Sequence, residues 1–453
     1  MLLIFPIVYI VSFLLSIWGV YKKKGEAAFI YVIIGLPIYN TAFSILYLYR
    51  LNEWIPLLQS LKELLILSTL LMLVWNYRKR ISIHSIDYWI LSFLLYTSLY
   101  TIIPLGHFSI VQKLVALKGL SFFTIIYFTG RFIDIEKIYI RQLFYWVGMV
   151  TIAAATLQIY EIITDTHFQI FSGYALYNEE FNGAASSGHY GLSWTFERDN
   201  GVKRFASFFS NPLDLANSTL VTTAMILSMY TDKKNSLRLN KFAWLVVLST
   251  LIAVVFAISR ASLAAYVILI YCYALITRRK EIQYIIYSLL GTSILYLLYL
   301  MKDKTLFEYI VNTIQLNDSS SIGHLLEWVE GTQTIFTHPF GIGLGESGKI
   351  AAEIQQNIGG ENQFIIVGVQ TGVLSLFIYI AIYVLIIRNC WKYYPLLSGK
   401  AKMLALSLLL IKIAFIFPLF TSNFDSNSYI VFLTWLLTGI FISMIQNVKT
   451  VKI

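Results

Sequence analysis

Apolar runs of about 20 residues recur along this chain from end to end, and each is long enough to cross the roughly 30 Å hydrocarbon core of a bilayer as a helix. Charged residues make up only 13% of the 453 residues, against about 25% in a soluble domain. We therefore predict an all-α fold, a polytopic integral membrane protein in which residues 1–453 form a single membrane domain.

The predicted spans number about 12 to 13, because the closely spaced runs within 242–277 form either one span or two. They cover residues 2–20, 27–49, 54–75, 86–105, 112–130, 138–163, 205–230, 242–258, 262–277, 282–301, 361–387, 401–421 and 427–446. The first run precedes its basic cluster, Lys22–Lys24, whereas a signal peptide carries its basic residues first. We therefore expect this run to be retained as a helix.

Lysine and arginine set the predicted orientation, because short loops rich in these residues face the cytoplasm. The basic loops lie at 22–24, 78–80, 233–241, 278–280, 388–392 and 449–452. With alternating spans they share one side, so two long loops, 164–204 and 302–360, face the exterior. These basic loops account for the net charge of +10. The sequence has no basic soluble domain of the kind that would indicate nucleic-acid binding.

The two exterior loops differ in composition. The aromatic loop (164–204) is rich in aromatic residues and glycine, and the turn signal at 199–201 between 194–198 and 202–205 predicts a β-hairpin. In the late loop (302–360), apolar residues spaced along 322–337 predict an amphipathic helix lying at the membrane surface. The glycine turn (341–345) follows it and places flexible backbone just outside the bilayer.

Cations on the predicted outer side are unusual, because the positive-inside rule places most of them opposite. Five stand there: Lys62, Lys113, Lys118, Arg204 and Arg260. Ionisable groups near the bilayer are costly, so these residues are candidates for holding an anion. Arginine suits phosphate best, since its planar group donates two parallel hydrogen bonds. The alternative is that each contacts lipid headgroups or pairs with a neighbour such as Glu63.

Glu361 opens a predicted span and is followed by Asn362. Its structural interpretation is a helix cap, since a carboxylate is stabilised at a helix N-terminus. Its functional interpretation is a general base or a ligand for a sugar hydroxyl. His324 and His338 match no metal-ligand spacing, so no metal is predicted. No nucleotide-binding motif is present, and we expect no cofactor.

Four blocks of residues occur in order between about 200 and 390. They are Arg204 with Asn211-Pro212, Ser259-Arg260-Ala261-Ser262, Ser319–His324 with Glu327-Trp328 and His338-Pro339, and Glu361–Phe364 with Gly368 and Gly372. Together they resemble the O-antigen ligase and polymerase superfamily, membrane enzymes of bacterial surface polysaccharide.

Two departures from the family pattern bear on the branch. The family usually has an arginine where His324 aligns, so the role of diphosphate ligand is open there or passes to another cation. Ligases typically place a histidine at the position of Glu361, whereas polymerases often show a glutamate followed by a small polar residue. The resemblance therefore favours a polymerase of the Wzy type.

The resemblance implies metal-independent glycosyl transfer at the outer, periplasmic face of the bacterial cytoplasmic membrane. The donor would be an undecaprenyl-diphosphate-linked glycan, the acceptor a lipid-linked repeat unit, and a chain-length regulator a further partner. Arg204, Arg260 and His324 would form the catalytic group with Glu361, the arginines binding diphosphate and Glu361 orienting or deprotonating the acceptor hydroxyl. The substrate contacts would be Lys113, Lys118, Tyr190, Trp194, Asn211, Gly341, Gly343 and Asn362.

Other functions stay open at this point. An O-antigen ligase would perform the same chemistry with lipid A-core as its acceptor. A polysaccharide flippase or other transporter would carry charges along a path through the bilayer midplane, where Lys412 and Asp425 are the main late exceptions. A non-catalytic scaffold of the cell envelope would not need two outward arginines.

Overall fold

The computed structural model describes residues 2–76, 82–183, 185–198, 201–300, 319–353 and 357–451. Within these ranges the regular structure is helical, with two isolated antiparallel bridges. Eight helices are long and apolar enough to cross a membrane: Ile4–Tyr21, Gly25–Leu48, Asn52–Trp75, Ile110–Phe132, Ile140–Thr164, Gln363–Leu396, Gly399–Thr421 and Ser428–Gln446. The predicted all-α polytopic membrane fold is thereby confirmed.

The other predicted spans are helices that are shorter or less apolar. They are Ser85–Leu99, Pro212–Met229, Lys241–Phe256, Arg260–Ile276 and Lys280–Leu300. The runs within 242–277 thus form two helices. Pro212–Met229 is almost wholly buried and carries polar side chains such as Thr222, whose hydroxyl lies 2.8 Å from that of Thr151. Its lower apolarity follows, since this helix faces protein and uses hydroxyl pairs between helices.

Close packing of glycine joins the C-terminal helix, Ser428–Val451, to Ile110–Phe132. A Cβ added at Gly130 would lie 2.2 Å from the Leu436 carbonyl oxygen, and one at Gly439 would lie 2.2 Å from the Tyr127 carbonyl oxygen. Small residues allow such backbone approach between membrane helices. The two helices therefore pack with their backbones in close contact, and Trp435 of the C-terminal helix is fully buried.

A buried ion pair ties three helices together at one end of the bundle. Arg131 donates from Nε to Asp87 Oδ1 at 3.0 Å and from Nη2 to Asp87 Oδ2 at 2.9 Å. Its Nη1 also donates to Ser443 Oγ at 2.6 Å, and the Tyr127 hydroxyl donates to Asp87 at 2.6 Å. Because each charge has several partners, the pair avoids the penalty of an unpaired buried ion.

Two of the basic loops, 233–241 and 278–280, meet each other and the segment 394–402. Arg279 Nε donates to the Asn235 carbonyl at 2.9 Å, and Lys402 Nζ donates to Asn235 Oδ1 at 2.9 Å. The Tyr394 hydroxyl donates to the same Asn235 oxygen at 2.9 Å. These three connections, which the charge pattern places on one side of the membrane, thus lie together. That this side is the cytoplasm stays a prediction.

The predicted β-hairpin of the aromatic loop is confirmed only as a short antiparallel pairing beside the turn. The Arg198 N–H donates to the Val202 carbonyl at 3.0 Å, the Arg204 N–H donates to the Phe196 carbonyl at 2.8 Å, and Glu197 and Lys203 form a bridge. Trp194–Phe196 forms a 3₁₀ helix instead of a strand, and 199 and 200 lie outside the described residues. The Glu197 carboxylate accepts a hydrogen bond from the His189 N–H at 2.7 Å, and the Phe205 N–H donates to the Phe256 carbonyl at 3.2 Å. Both arms therefore also contact segments outside the hairpin. The rest of this loop contains the short helices Phe168–Phe171 and Tyr174–Leu176 and the π-turn Tyr177–Phe181.

The late loop contains the predicted helix, here called the loop helix (Ser319–Thr337), and a short helix at Lys349–Glu353. Residues 302–318 of this loop lie outside the described residues. That the loop helix rests on a membrane surface stays a prediction. Ile335 anchors it by packing with Ile365 and Val369 of the following helix.

The glycine turn is inserted into that following helix, the broken helix (Gln363–Tyr393), which is interrupted at Gly372 with φ 84° and ψ 180°. The Ile342 N–H donates to the Val369 carbonyl at 2.9 Å, and the Val373 N–H donates to the Pro339 carbonyl at 2.9 Å. The turn thus provides partners for backbone groups that the interruption frees, as buried polar groups require. This junction fixes the late loop to the bundle.

Candidate functional site

A charged cluster forms where the aromatic loop, the loop helix and two helix N-termini meet. Its members interact electrostatically or by hydrogen bonds, as described below, and they are Arg204, Arg260, His324, Glu327 and Glu361. Four of these are the residues that the sequence analysis assigned to catalysis, although they come from four separate segments. We call this group the charged cluster.

Asn362, and not Glu361, caps the broken helix. The Asn362 Oδ1 accepts hydrogen bonds from the N–H groups of Phe364 at 3.0 Å and Ile365 at 3.3 Å. Because this cap is already provided, the capping interpretation of Glu361 is wrong. The Glu361 carboxylate instead turns to the loop helix, where its Oε2 lies 2.8 Å from His324 Nδ1. That Asn362 contacts the substrate stays a prediction. Its Oδ1 already accepts hydrogen bonds in the cap.

His324 and Glu327 lie three residues apart, so the loop helix presents both on one face. Glu327 Oε2 accepts a hydrogen bond from the Glu361 N–H at 3.2 Å. The adjacent Glu361 carboxylate raises the pKa of His324 above its ordinary value, although burial and the charge of Arg260 oppose the shift. Burial, followed by the charge of Glu361, raises the pKa of Glu327. The cluster therefore favours an imidazolium between two carboxylates.

Arg204 is held rigidly at the edge of the charged cluster. Its backbone N–H donates to the Phe196 carbonyl at 2.8 Å, and its Nε donates to the Ala257 carbonyl at 2.9 Å. Burial lowers the pKa of Arg204 to about 10, with further contributions from the charges of Arg198 and Arg260. The group remains a cation at neutral pH, and three arginines share this region.

Arg260 is the first residue of the helix Arg260–Ile276, and Ser259 is its N-cap. The Ser259 hydroxyl accepts from the Ser262 N–H at 3.3 Å, and the Ser262 hydroxyl donates to Asn217 Oδ1 at 2.9 Å. The two serines of the motif therefore fix the place from which Arg260 projects. A cation at a helix N-terminus opposes the macrodipole, so helix stability does not explain an arginine here. Arg260 is exposed.

The predicted substrate contacts are scattered. The Asn211 side chain caps the helix Pro212–Met229 by accepting from the Asp214 N–H at 2.9 Å. Lys113 is 7% exposed and donates to the Ile103 carbonyl at 3.1 Å. Lys118 is half-exposed and pairs with Glu63 at 3.1 Å. The pairing of Lys118 is the structural alternative that the sequence analysis named, while Asn211 and Lys113 serve local backbone groups.

Gly341 and Gly343 are buried inside the junction of the glycine turn. A Cβ at Gly341 would lie 2.6 Å from the Gln370 carbonyl oxygen, and one at Gly343 would lie 2.7 Å from the Leu105 carbonyl oxygen. Because these two glycines have no side chain, the backbone of the turn can pack closely against the neighbouring backbone segments. Any contact of these glycines with substrate stays a prediction.

The two aromatic candidates differ in exposure. Tyr190 is half-buried, its hydroxyl donates to the Gly201 carbonyl, and Lys203 Nζ lies 4.8 Å from its ring centroid. Trp194 is 55% exposed and makes an edge contact with His189, with ring centroids 5.2 Å apart. Trp194 therefore has a free face for stacking, whereas Tyr190 organises the loop.

One member of the charged cluster and one neighbouring arginine received no role from the sequence. Glu327 was noted only as part of a motif, and its i,i+3 spacing from His324 is the signal that places both on one helical face. Arg198 acts electrostatically on Arg204. In the sequence, Arg198 stands out only as the residue before the turn at 199–201. That turn does not indicate that Arg198 lies near Arg204.

His324, Glu327 and Glu361 also place possible ligand atoms within 4.8 Å of one another. The sequence does not indicate this trio, because Glu361 comes from a different segment than His324 and Glu327. One imidazole and two carboxylates are a donor set that divalent zinc accepts. The charge of Arg260 acts on His324 and opposes a further cation there.

Lys412, the midplane cation that a transporter would use, is enclosed by aromatic rings. It is fully buried, and its Nζ lies 3.9 Å from the ring centroid of Trp435 and 4.6 Å from that of Tyr383. Such cation–π contacts stabilise a desolvated ammonium group. Asp425 interacts with it electrostatically.

Comparison with models of known protein families gives no match, and comparison with curated proteins gives none either. The resemblance to the O-antigen ligase and polymerase superfamily therefore depends on the motif residues themselves.

Proposed function

We propose that this protein is a metal-independent glycosyltransferase of the outer face of the bacterial cytoplasmic membrane, a surface-polysaccharide polymerase of the Wzy type. The observation that carries the proposal is the charged cluster, in which Arg260 acts electrostatically on both Arg204 and His324, while His324 pairs with Glu361 at 2.8 Å. Two cations for an anionic leaving group thus lie beside a carboxylate for a hydroxyl.

The proposed reaction transfers a glycan from undecaprenyl diphosphate to a hydroxyl of a lipid-linked repeat unit. The acceptor oxygen bonds to the anomeric carbon as the bond from that carbon to the diphosphate oxygen breaks. Negative charge develops on the leaving diphosphate, where Arg204 and Arg260 stabilise it. Glu361, oriented by His324, accepts the hydroxyl proton.

The arginines provide the first test. Replacement of Arg204 or Arg260 by Ala removes a cation from the developing charge, and loss of one such donor costs about 10²–10³ in rate. We expect long polysaccharide chains to collapse to single repeat units on a gel of cell-surface glycan. Arg238→Ala is the matched control, since Arg238 is 82% exposed in another loop. Normal chain length in both cluster variants, at normal expression, contradicts the assignment.

Deletion of the gene separates the polymerase from its rivals. A polymerase leaves one repeat unit on the usual acceptor and no long chains. Full-length polymer that stays on the lipid carrier indicates a ligase instead, and lipid-linked units trapped on the inner leaflet indicate a flippase. Either of these two results rejects the polymerase assignment.

A further inference from the structure

A second group of charged residues, outside the charged cluster, lines a cavity of about 240 Å³. This lysine pocket is formed by Lys62, Glu63, Lys118, Lys349 and Asp425 with neighbouring polar residues. Its volume is near the lower limit of ligand pockets, about 300 Å³, so it suits one small group. Gln363 also lines it and accepts from the Asp425 N–H at 3.1 Å. Gln363 lies two residues after Glu361 in the chain.

Positive charge exceeds negative charge in the lysine pocket. Lys118 and Lys349 both act electrostatically on Lys62. Glu63 pairs with Lys118 at 3.1 Å, and among the described residues Lys62 and Lys349 have no carboxylate within 4.0 Å. Three lysines thus face two carboxylates. Gathering like charges at a cavity is unfavourable unless an anion enters it.

Two carboxylate oxygens in the same pocket await hydrogen-bond donors. Glu63 Oε2 and Asp425 Oδ1 are buried and have no hydrogen-bond partner among the described residues. The other Asp425 oxygen already accepts from the Tyr379 hydroxyl at 2.9 Å. Buried polar atoms are normally paired, so an unpaired acceptor in a cavity indicates a missing donor.

The ligand must therefore carry an anionic group together with neutral donors. A fully ionised diphosphate offers only hydrogen-bond acceptors and would leave Glu63 Oε2 and Asp425 Oδ1 without a donor. A sugar hydroxyl donates, and a carboxylate on the same ring satisfies the lysines. Ser347, Asn423 and Ser428 add polar lining, and Tyr39 and Phe122 add aromatic surface.

We propose that the lysine pocket binds an acidic sugar of the glycan substrate. This inference rests on the proposed function, since a polysaccharide polymerase handles glycan substrates. Lys62 and Lys349 hold the acid group, with Lys118 released from Glu63 to assist. Glu63 and Asp425 accept hydrogen bonds from the ring hydroxyls. The protein is thereby selective for glycans that contain an acidic residue.

Binding is tested on the full-length protein in nanodiscs by saturation-transfer NMR, with glucuronate, glucose and pyrophosphate as probes. We expect glucuronate to bind at least about tenfold more tightly than glucose, which lacks the acid group. Lys62→Gln and Lys349→Gln should each weaken glucuronate binding about tenfold, since each removes one cation. Lys392→Gln, which changes an exposed lysine of a distant basic loop, should leave binding unchanged.

Equal affinity for glucuronate and glucose, or wild-type glucuronate binding in both lysine variants, overturns the proposal. Pyrophosphate that displaces glucuronate and loses affinity in the same variants reassigns the pocket to the lipid carrier. The polymerase assignment fails separately: normal polymer in Arg204→Ala and Arg260→Ala cells rejects it while a glucuronate-specific pocket stands. Lost polymer without glucuronate binding rejects the pocket alone.

Discussion

At the scale of single residues, the role of a side chain depends on whether a neighbour already accepts the hydrogen bonds of nearby backbone N–H groups. Glu361 lies at the N-terminus of the broken helix, but Asn362 provides the cap and leaves the carboxylate to pair with His324. Asparagine is among the preferred N-cap residues and glutamate is not, so the sequence already favoured Asn362 as the cap. That choice gives Glu361 its place in the charged cluster.

The pairing of His324 with Glu361 predicts a pH dependence. Glu361 raises the pKa of His324 above its ordinary value of 6.5. The pair therefore stabilises the fold fully below that ordinary value, and its contribution is lost as the pH rises through the folded-state pKa. His324→Gln should lower the free energy of unfolding by at most about 1 kcal/mol at acidic pH, because both side chains are partly exposed.

Thermal unfolding of the purified protein at about pH 6 and about pH 9 measures this difference, the two values bracketing histidine titration. The gap between wild type and His324→Gln should be larger at the lower pH. Glu361→Gln serves as the companion variant and should show the same trend, since it removes the other partner. A gap that widens as the pH rises contradicts the pairing.

At the scale of elements, the helices were predictable because their hydrogen bonds are local and their apolar lengths match the bilayer. The interruption of the broken helix was not. Gly372 lies within a predicted apolar span. The residues around it do not indicate that the glycine turn replaces the backbone hydrogen bonds of the helix there. The hairpin is short for a similar reason, since the N–H of Phe205 donates to the carbonyl of Phe256, which is distant in sequence.

Gly372 offers a direct test of this junction. Its φ of 84° is disfavoured for residues with a side chain, and an added Cβ would lie 2.4 Å from the Pro339 carbonyl oxygen. Gly372→Ala should destabilise the protein by at least about 1–3 kcal/mol, the cost of such backbone strain. Polymer synthesis should fall with it, because the junction positions the late loop. Thermal unfolding and the surface-glycan gel measure the two effects.

Gly119 is the matched control, since it lies in the helix Ile110–Phe132 with no heavy atom within 4 Å of an added Cβ. Gly119→Ala should be neutral or stabilising by about 0.5–1 kcal/mol, because alanine favours the helix interior. Equal thermal stability of the two variants argues against a strained junction at Gly372.

At the scale of the whole molecule, the basic loops predict the orientation of the bundle and with it the surfaces that are reachable from outside. Phe336 in the loop helix is 79% exposed, and Trp194 in the aromatic loop is 55% exposed. Lys400 is exposed at the opposite end, where basic loops meet. Positive-inside asymmetry places the first two outside and Lys400 in the cytoplasm.

Cysteine labelling tests this arrangement in a background without Cys272 and Cys390, the two free cysteines. Trp194→Cys and Phe336→Cys should react with a membrane-impermeant maleimide in intact spheroplasts. Lys400→Cys should react only after permeabilisation. The reverse pattern inverts the topology and removes the outer-face site from the proposal.

The sequence by itself determined the helical membrane architecture, because span length and apolarity are properties of contiguous segments. Its motif residues supplied the candidate side chains. The tertiary structure alone decided which of those side chains meet. Arg204, Arg260, His324 and Glu361 belong to four segments, and Lys62, Lys118 and Lys349 to three. Their proximity depends on helix packing and on the glycine junction, and these interactions between distant segments are not encoded in any local pattern.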